Sequence, residues 1–131
     1  MILDDAVPAS VVPAPPAGVL AAVPWADAAP DPGKAMMVVP APGMGPGAWS
    51  GSPSALRVDG EIFIAYRLRT ADQRGYAVEV ARSADGVVFE PLLTISKHQM
   101  DAESLERPAL ALAPDGTWRL YLSCATPGTK H

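Results

Sequence analysis

Two stretches of the chain share a rhythm that few folds accommodate. In PSALRVDGEIFIAYR, from Pro53, and in PALALAPDGTWRLYLS, from Pro108, an alternating run meets Asp-Gly and a second alternating run follows. Asp-Gly supplies the positive-φ pair of a tight hairpin turn. The prolines stand 55 residues apart and the turns, Asp59-Gly60 and Asp115-Gly116, 56 apart, so one residue is inserted near Pro114. Along Glu61 to Arg69, alternation puts Ile62, Ile64, Tyr66 and Leu68 on one face and Phe63, Ala65, Arg67 and Arg69 on the other.

Between the copies, Tyr76 to Arg82 and Val87 to Ile95 read as two further strands around the Asp85-Gly86 turn, with Pro91 suited to an edge. Residues 53–95 thus predict four antiparallel strands in a meander, and 106–124 a half copy. A four-stranded meander repeated at this spacing is the unit of a propeller blade. The expectation is an all-β, β-propeller-type array of antiparallel meander blades, incomplete at about one and a half blades. Trp118 to Cys124 would then be a free strand edge, open to a second chain or to self-association across 118–124.

The preceding residues are of another character. Met1 to Ser50 holds ten of the fifteen prolines but five of the twenty-four charged residues. Residues 1–50 read as a Pro/Ala/Gly-rich arm and loop in which KAMMVVP can form one short strand over 35–40, and 51–131 as the β module. A net charge of −4 without any basic run argues against a nucleic-acid partner. Cys124 is the only cysteine, so it forms no intrachain disulfide and is expected to be a buried thiol. An acidic start broken by prolines is unlike a signal peptide, and no apolar run reaches about eighteen residues, so neither export nor a membrane partner is expected. These features predict a reducing, cytoplasmic setting.

The runs SPSALRVDGEIFIAYR, SADGVVF and ERPALALAPDGTWRLYLS resemble blades of five-bladed β-propeller glycosidases, the group of the arabinanase and xylosidase family with its invertase-like and mannoside-phosphorylase relatives. The similarity covers about 50–131. It implies a glycoside hydrolase-like protein that binds or cleaves the glycosidic bonds of a carbohydrate, without metal or organic cofactor. The alternatives are a phosphate-dependent phosphorylase and a non-catalytic module that binds sugar or protein. In such enzymes the inner strand of each blade lines the axis, and two carboxylates from different blades flank the scissile bond.

Glu106, just before the second inner strand, takes the place of an axial acid, or else is a rim residue paired with Arg107. The first copy has Gly51-Ser52 where the arabinanase type carries an acidic general base, so a second acid has to come from Asp101, from Glu103, or from blades outside this chain. Trp49 is a candidate sugar platform, or a loop anchor. Arg67, with Arg69 on the same face, and Arg107 are candidate substrate ligands; in the phosphorylase relatives such arginines hold phosphate. Trp118 alternates with Leu120 and Leu122 and reads as core, and Asp59, Asp85 and Asp115 as turn formers. His98 has no partner at metal-ligand spacing.

Overall fold

The computed structural model describes residues 29–128. Most of the Pro/Ala-rich arm expected over 1–34 lies outside the described residues. The chain divides into two units between Ala35 and Met36. In the first, a 3-10 turn at Pro32–Lys34 is capped by Asp31, whose Oδ1 accepts the Gly33 N–H at 2.9 Å.

The second unit is all-β. Its strands are β1 (Trp49–Val58), β2 (Glu61–Arg69), β3 (Ala77–Ser83), β4 (Glu90–Ser96), β5 (Ser104–Leu112) and β6 (Trp118–Ala125). They form a four-stranded sheet in the order β1-β2-β3-β4 and a two-stranded sheet, β5-β6, with every pairing antiparallel. This is the meander and half meander that the repeat predicts, a propeller-like arrangement. The segment 35–40 is not a strand. Its apolar residues are used differently: Val39 packs on the core of the first sheet, and Ser50 Oγ donates to the Pro40 carbonyl at 2.8 Å.

The turns follow their local chemistry. Asp59 and Gly60 both adopt positive φ, 51° and 88°, as a two-residue hairpin turn requires. The inserted Pro114 changes the second turn: only Gly116 is left-handed, Gly116 N–H bonds Ala113 O at 2.9 Å, and Asp115 Oδ1 accepts the Thr117 N–H at 2.9 Å. Strand β4 is an edge strand, the position in a sheet that tolerates a proline such as Pro91, and Leu92 bulges between the pairs Val80–Leu93 and Ala81–Pro91.

Both inner strands begin earlier than the sequence suggests, β1 at Trp49 and β5 at Ser104, and for the same reason. A bulge at Ser52-Pro53 separates the pairs Gly51–Arg67 and Ser54–Ala65, with Ser52 at a φ of 53°. A bulge at Glu106-Arg107 separates Leu105–Cys124 and Pro108–Leu122. Each bulge takes up the irregularity next to its proline and lets pairing resume beyond it. The bulges stand 54 residues apart and the prolines 55, so Pro53 lies within its bulge and Pro108 just beyond its own, while Ser52 and Glu106 each open a bulge.

The alternation along β2 builds two packed faces. Ile64 and Tyr66 join Ala81 in the core of one, with Ile62, Leu68, Phe89 and Val39 around them. Tyr66 donates its hydroxyl to Glu79, which also accepts from Thr94 Oγ1 at 3.2 Å, and burial together with that hydrogen bond holds the phenol protonated well above its usual range. On the other face Ala65 and Val78 are buried, and β5 packs there across β1, β2 and β3. Leu110 N–H donates to Ser54 Oγ at 3.0 Å and Leu105 N–H to the Gly75 carbonyl at 2.8 Å, so backbone from the two sheets is stitched directly. Trp118 is not core: its ring is tilted against Phe63 at 4.7 Å, but 43% of the residue is exposed. Cys124 is half-buried rather than fully enclosed.

Candidate functional site

The second face of β2 carries Arg67, and its ladder partner on β1 is Gly51. The absence of a side chain at Gly51 makes room for Trp49: a Cβ there would stand 2.8 Å from two carbons of the indole ring. The ring folds over its own strand and covers the Arg67 guanidinium, whose Cζ lies 4.4 Å from the ring centroid, a cation–π contact. Gly51 is thus the position that admits the indole.

From the second sheet the β5 bulge brings Glu106 to the same place. Its Oε2 accepts from Arg67 Nη1, and its Oε1 accepts from Ser104 Oγ at 2.8 Å and from Arg74 Nη2 at 3.0 Å. Arg67 is 8% exposed, so this is a buried ion pair with one solvent-facing arginine, Arg74, attached. The expected pairing with Arg107 is not formed. Arg107 is exposed.

Burial first, and then the fields of Arg74, Arg69 and Arg107, lower the pKa of Arg67. A guanidinium stays charged under such a shift, and Glu106 is its counter-charge. Arg67 thus lies in the field of three further arginines, Arg74, Arg69 and Arg107, a cationic locality in a chain of net charge −4. The Nε atoms of Arg67 and Arg69 are buried and have no hydrogen-bond partner among the described residues.

Trp49, Arg67 and Glu106 are thus brought together from β1, β2 and β5. Trp49 is no loop residue; it opens β1. Asp101 and Glu103 are not part of the cluster: both are exposed, and neither makes a side-chain hydrogen bond or ion pair among the described residues. Asp101 turns the chain at a φ of 48°, and Glu103 is held by its backbone N–H on the Ala125 carbonyl at 2.8 Å. Two members have no signal in the sequence: Arg74 lies in the polar turn before Gly75, and Ser104 differs from other serines only in being two residues before Glu106. Among the described residues no group of three or more His, Cys, Asp or Glu side chains stands together as a metal site, and no helix is long and apolar enough to cross a membrane.

Fold and cluster define an all-β, propeller-like module with a clamped glutamate where its two inner strands bulge. No protein-family model, curated protein or solved structure matches the chain.

Proposed function

We propose that the chain is a carbohydrate-binding module of glycosidase-like type, with its site at Trp49, Arg67, Arg74 and Glu106. The observation that carries this reading is the convergence of an indole, a guanidinium pair and a carboxylate from strands far apart in sequence. A sugar ring offers an apolar C–H face and a rim of hydroxyls, and sites that hold such ligands combine a flat aromatic surface with a few fixed donors and acceptors. The half-buried Trp49 supplies the surface, Arg74 the outward donor, and Glu106 the acceptor.

Binding is favoured over cleavage on chemical grounds. Hydrolysis of a glycosidic bond needs one carboxyl group that gives a proton and a second that serves as base or nucleophile. Both oxygens of Glu106 are already engaged as acceptors, from Arg67, Arg74 and the Ser104 hydroxyl. Among the described residues no second carboxylate is ion-paired or hydrogen-bonded into this cluster. Phosphate-dependent phosphorolysis is a second reading that draws on the cationic surplus and the partnerless Arg67 and Arg69 donors.

Calorimetric titration against neutral and uronate-containing oligosaccharides tests the proposal. Binding by the unaltered chain is expected, weakened about tenfold or more by Trp49→Ala, which corresponds to about 1.4 kcal/mol. An unaltered, folded chain that binds no saccharide in the panel overturns it. Turnover that requires inorganic phosphate would select the second reading.

A further inference from the structure

We propose that the sugar held at this site is acidic and that Arg69 is the subsite for its carboxylate, which makes uronate-containing saccharides the ligand class. The inference rests on the carbohydrate reading of the site. Its own observation is one of register: Arg69 is the ladder partner of Trp49, as Arg67 is of Gly51. Side chains of directly paired residues rise from the same face of a sheet, with Cβ atoms about 4.5–5.5 Å apart. Alternate residues of one strand share a face as well. Trp49, Arg67 and Arg69 therefore form one continuous patch at the start of β1 and the end of β2, on the face to which β5 brings Glu106.

Positive charge in this patch exceeds what the protein answers. Both oxygens of Glu106 are occupied, Oε2 by Arg67 and Oε1 by Arg74 and Ser104. Arg69 is half-buried and forms no ion pair among the described residues, and its buried Nε has no hydrogen-bond partner there. Arg107, exposed on the β5 bulge, forms no ion pair either. A guanidinium cannot shed its proton to relieve such a deficit. The missing acceptor is accordingly an oxyanion that arrives with the ligand. The fields of Arg74, Arg69 and Arg107, which together with burial depress the pKa of Arg67, are those of an unneutralised cluster.

Carboxylate and phosphate share the paired oxygens that match a guanidinium fork. The indole separates them. A uronate carries its carboxylate directly on a ring carbon, so a ring laid on Trp49 extends an oxyanion toward the residue across the ladder. Free phosphate has no apolar face for the indole to cover. A neutral sugar would leave Arg69 unanswered.

The probes are oligogalacturonate and oligoglucuronate, each beside its methyl ester, because esterification removes the charge and keeps the ring. In calorimetric titration of the unaltered full chain at low ionic strength, the acid is expected to bind at least tenfold more tightly than the ester, with the margin shrinking as salt is added. Arg69→Gln is expected to bring the acid down to the level of the ester, and Arg69→Lys, which keeps the charge without the fork, to restore part of the margin. An amide spectrum of each variant checks its fold. Esters bound as tightly as acids by the unaltered chain overturn this inference and leave the saccharide reading standing, whereas binding of neither overturns both. A margin that persists in a folded Arg69→Gln variant also overturns it. So does inorganic phosphate bound as tightly as the acid, with an affinity that Trp49→Ala does not change.

Discussion

At the scale of single residues, energetics distinguish the two arginines on Glu106. The Arg67 and Glu106 side chains are 9% and 16% exposed, whereas that of Arg74 is 60% exposed. Removing one partner of a buried pair strands the other charge and costs about 3–5 kcal/mol, while an exposed pair contributes about 0–1 kcal/mol. Glu106→Ala is therefore expected to lower unfolding free energy by about 3 kcal/mol in urea titration, and Arg74→Ala by under about 1 kcal/mol. Equal effects would contradict the burial assigned to the pair. Asp85 gives a pH prediction. Its carboxylate accepts the Val88 and Val87 N–H groups, at 3.0 and 2.8 Å, and the Ser83 hydroxyl at 3.0 Å, which together depress its pKa. A depressed carboxyl group adds stability above its unfolded pKa, about 3.9, and that stability is lost as pH falls through the folded value. Asp85→Asn is expected to be less stable than the unaltered chain at pH 6 and to lose less on acidification to pH about 2.5; parallel pH profiles would contradict this.

At the scale of elements, the seam between sheets is set by backbone rather than by side-chain volume. A Cβ at Gly75 would stand 2.1 Å from the Leu105 carbonyl oxygen, and the residue also has a φ of 48°. At Gly60, with a φ of 88°, nothing lies within 4 Å. Gly75→Ala must part the sheets and is expected to cost about 3 kcal/mol or more, the upper range for overpacking; Gly60→Ala bears only conformational strain of about 1–2 kcal/mol. Thermal melts of the two variants check the ordering. The strands were legible because alternation and Asp-Gly turns are local: β2 spans the expected residues, and its two faces are those that the period gives. The bulges were not, since nothing local in Gly51-Ser52-Pro53 or Glu106-Arg107-Pro108 states how many residues oppose one across a ladder. That same geometry hid the clamp. Glu106, Arg67 and Trp49 are each visible as candidates, but Arg74 and Ser104 join them only through the β5 bulge and the turn before Gly75. KAMMVVP misled because an apolar run that packs as irregular chain and one that pairs as a strand have the same composition.

At the scale of the whole molecule, the propeller-like unit sets its two inner strands against each other, so that the bulge of one carries Glu106 to the Arg67 and Trp49 of the other. Residues far apart in sequence then form one cluster, in which Arg67 is buried beneath the indole and ion-paired to the second sheet. Saccharide recognition at that cluster is the central claim, and its most direct test is the indole N–H resonance of Trp49 in a 15N-labelled chain, assigned by Trp49→Phe, during titration with oligosaccharides. The account predicts a saturable shift of that resonance together with the amides around Glu106 and Arg74, and little change at the indole of Trp118. A bound saccharide that leaves the Trp49 indole unmoved, or shifts confined to the opposite face of the first sheet, would contradict it.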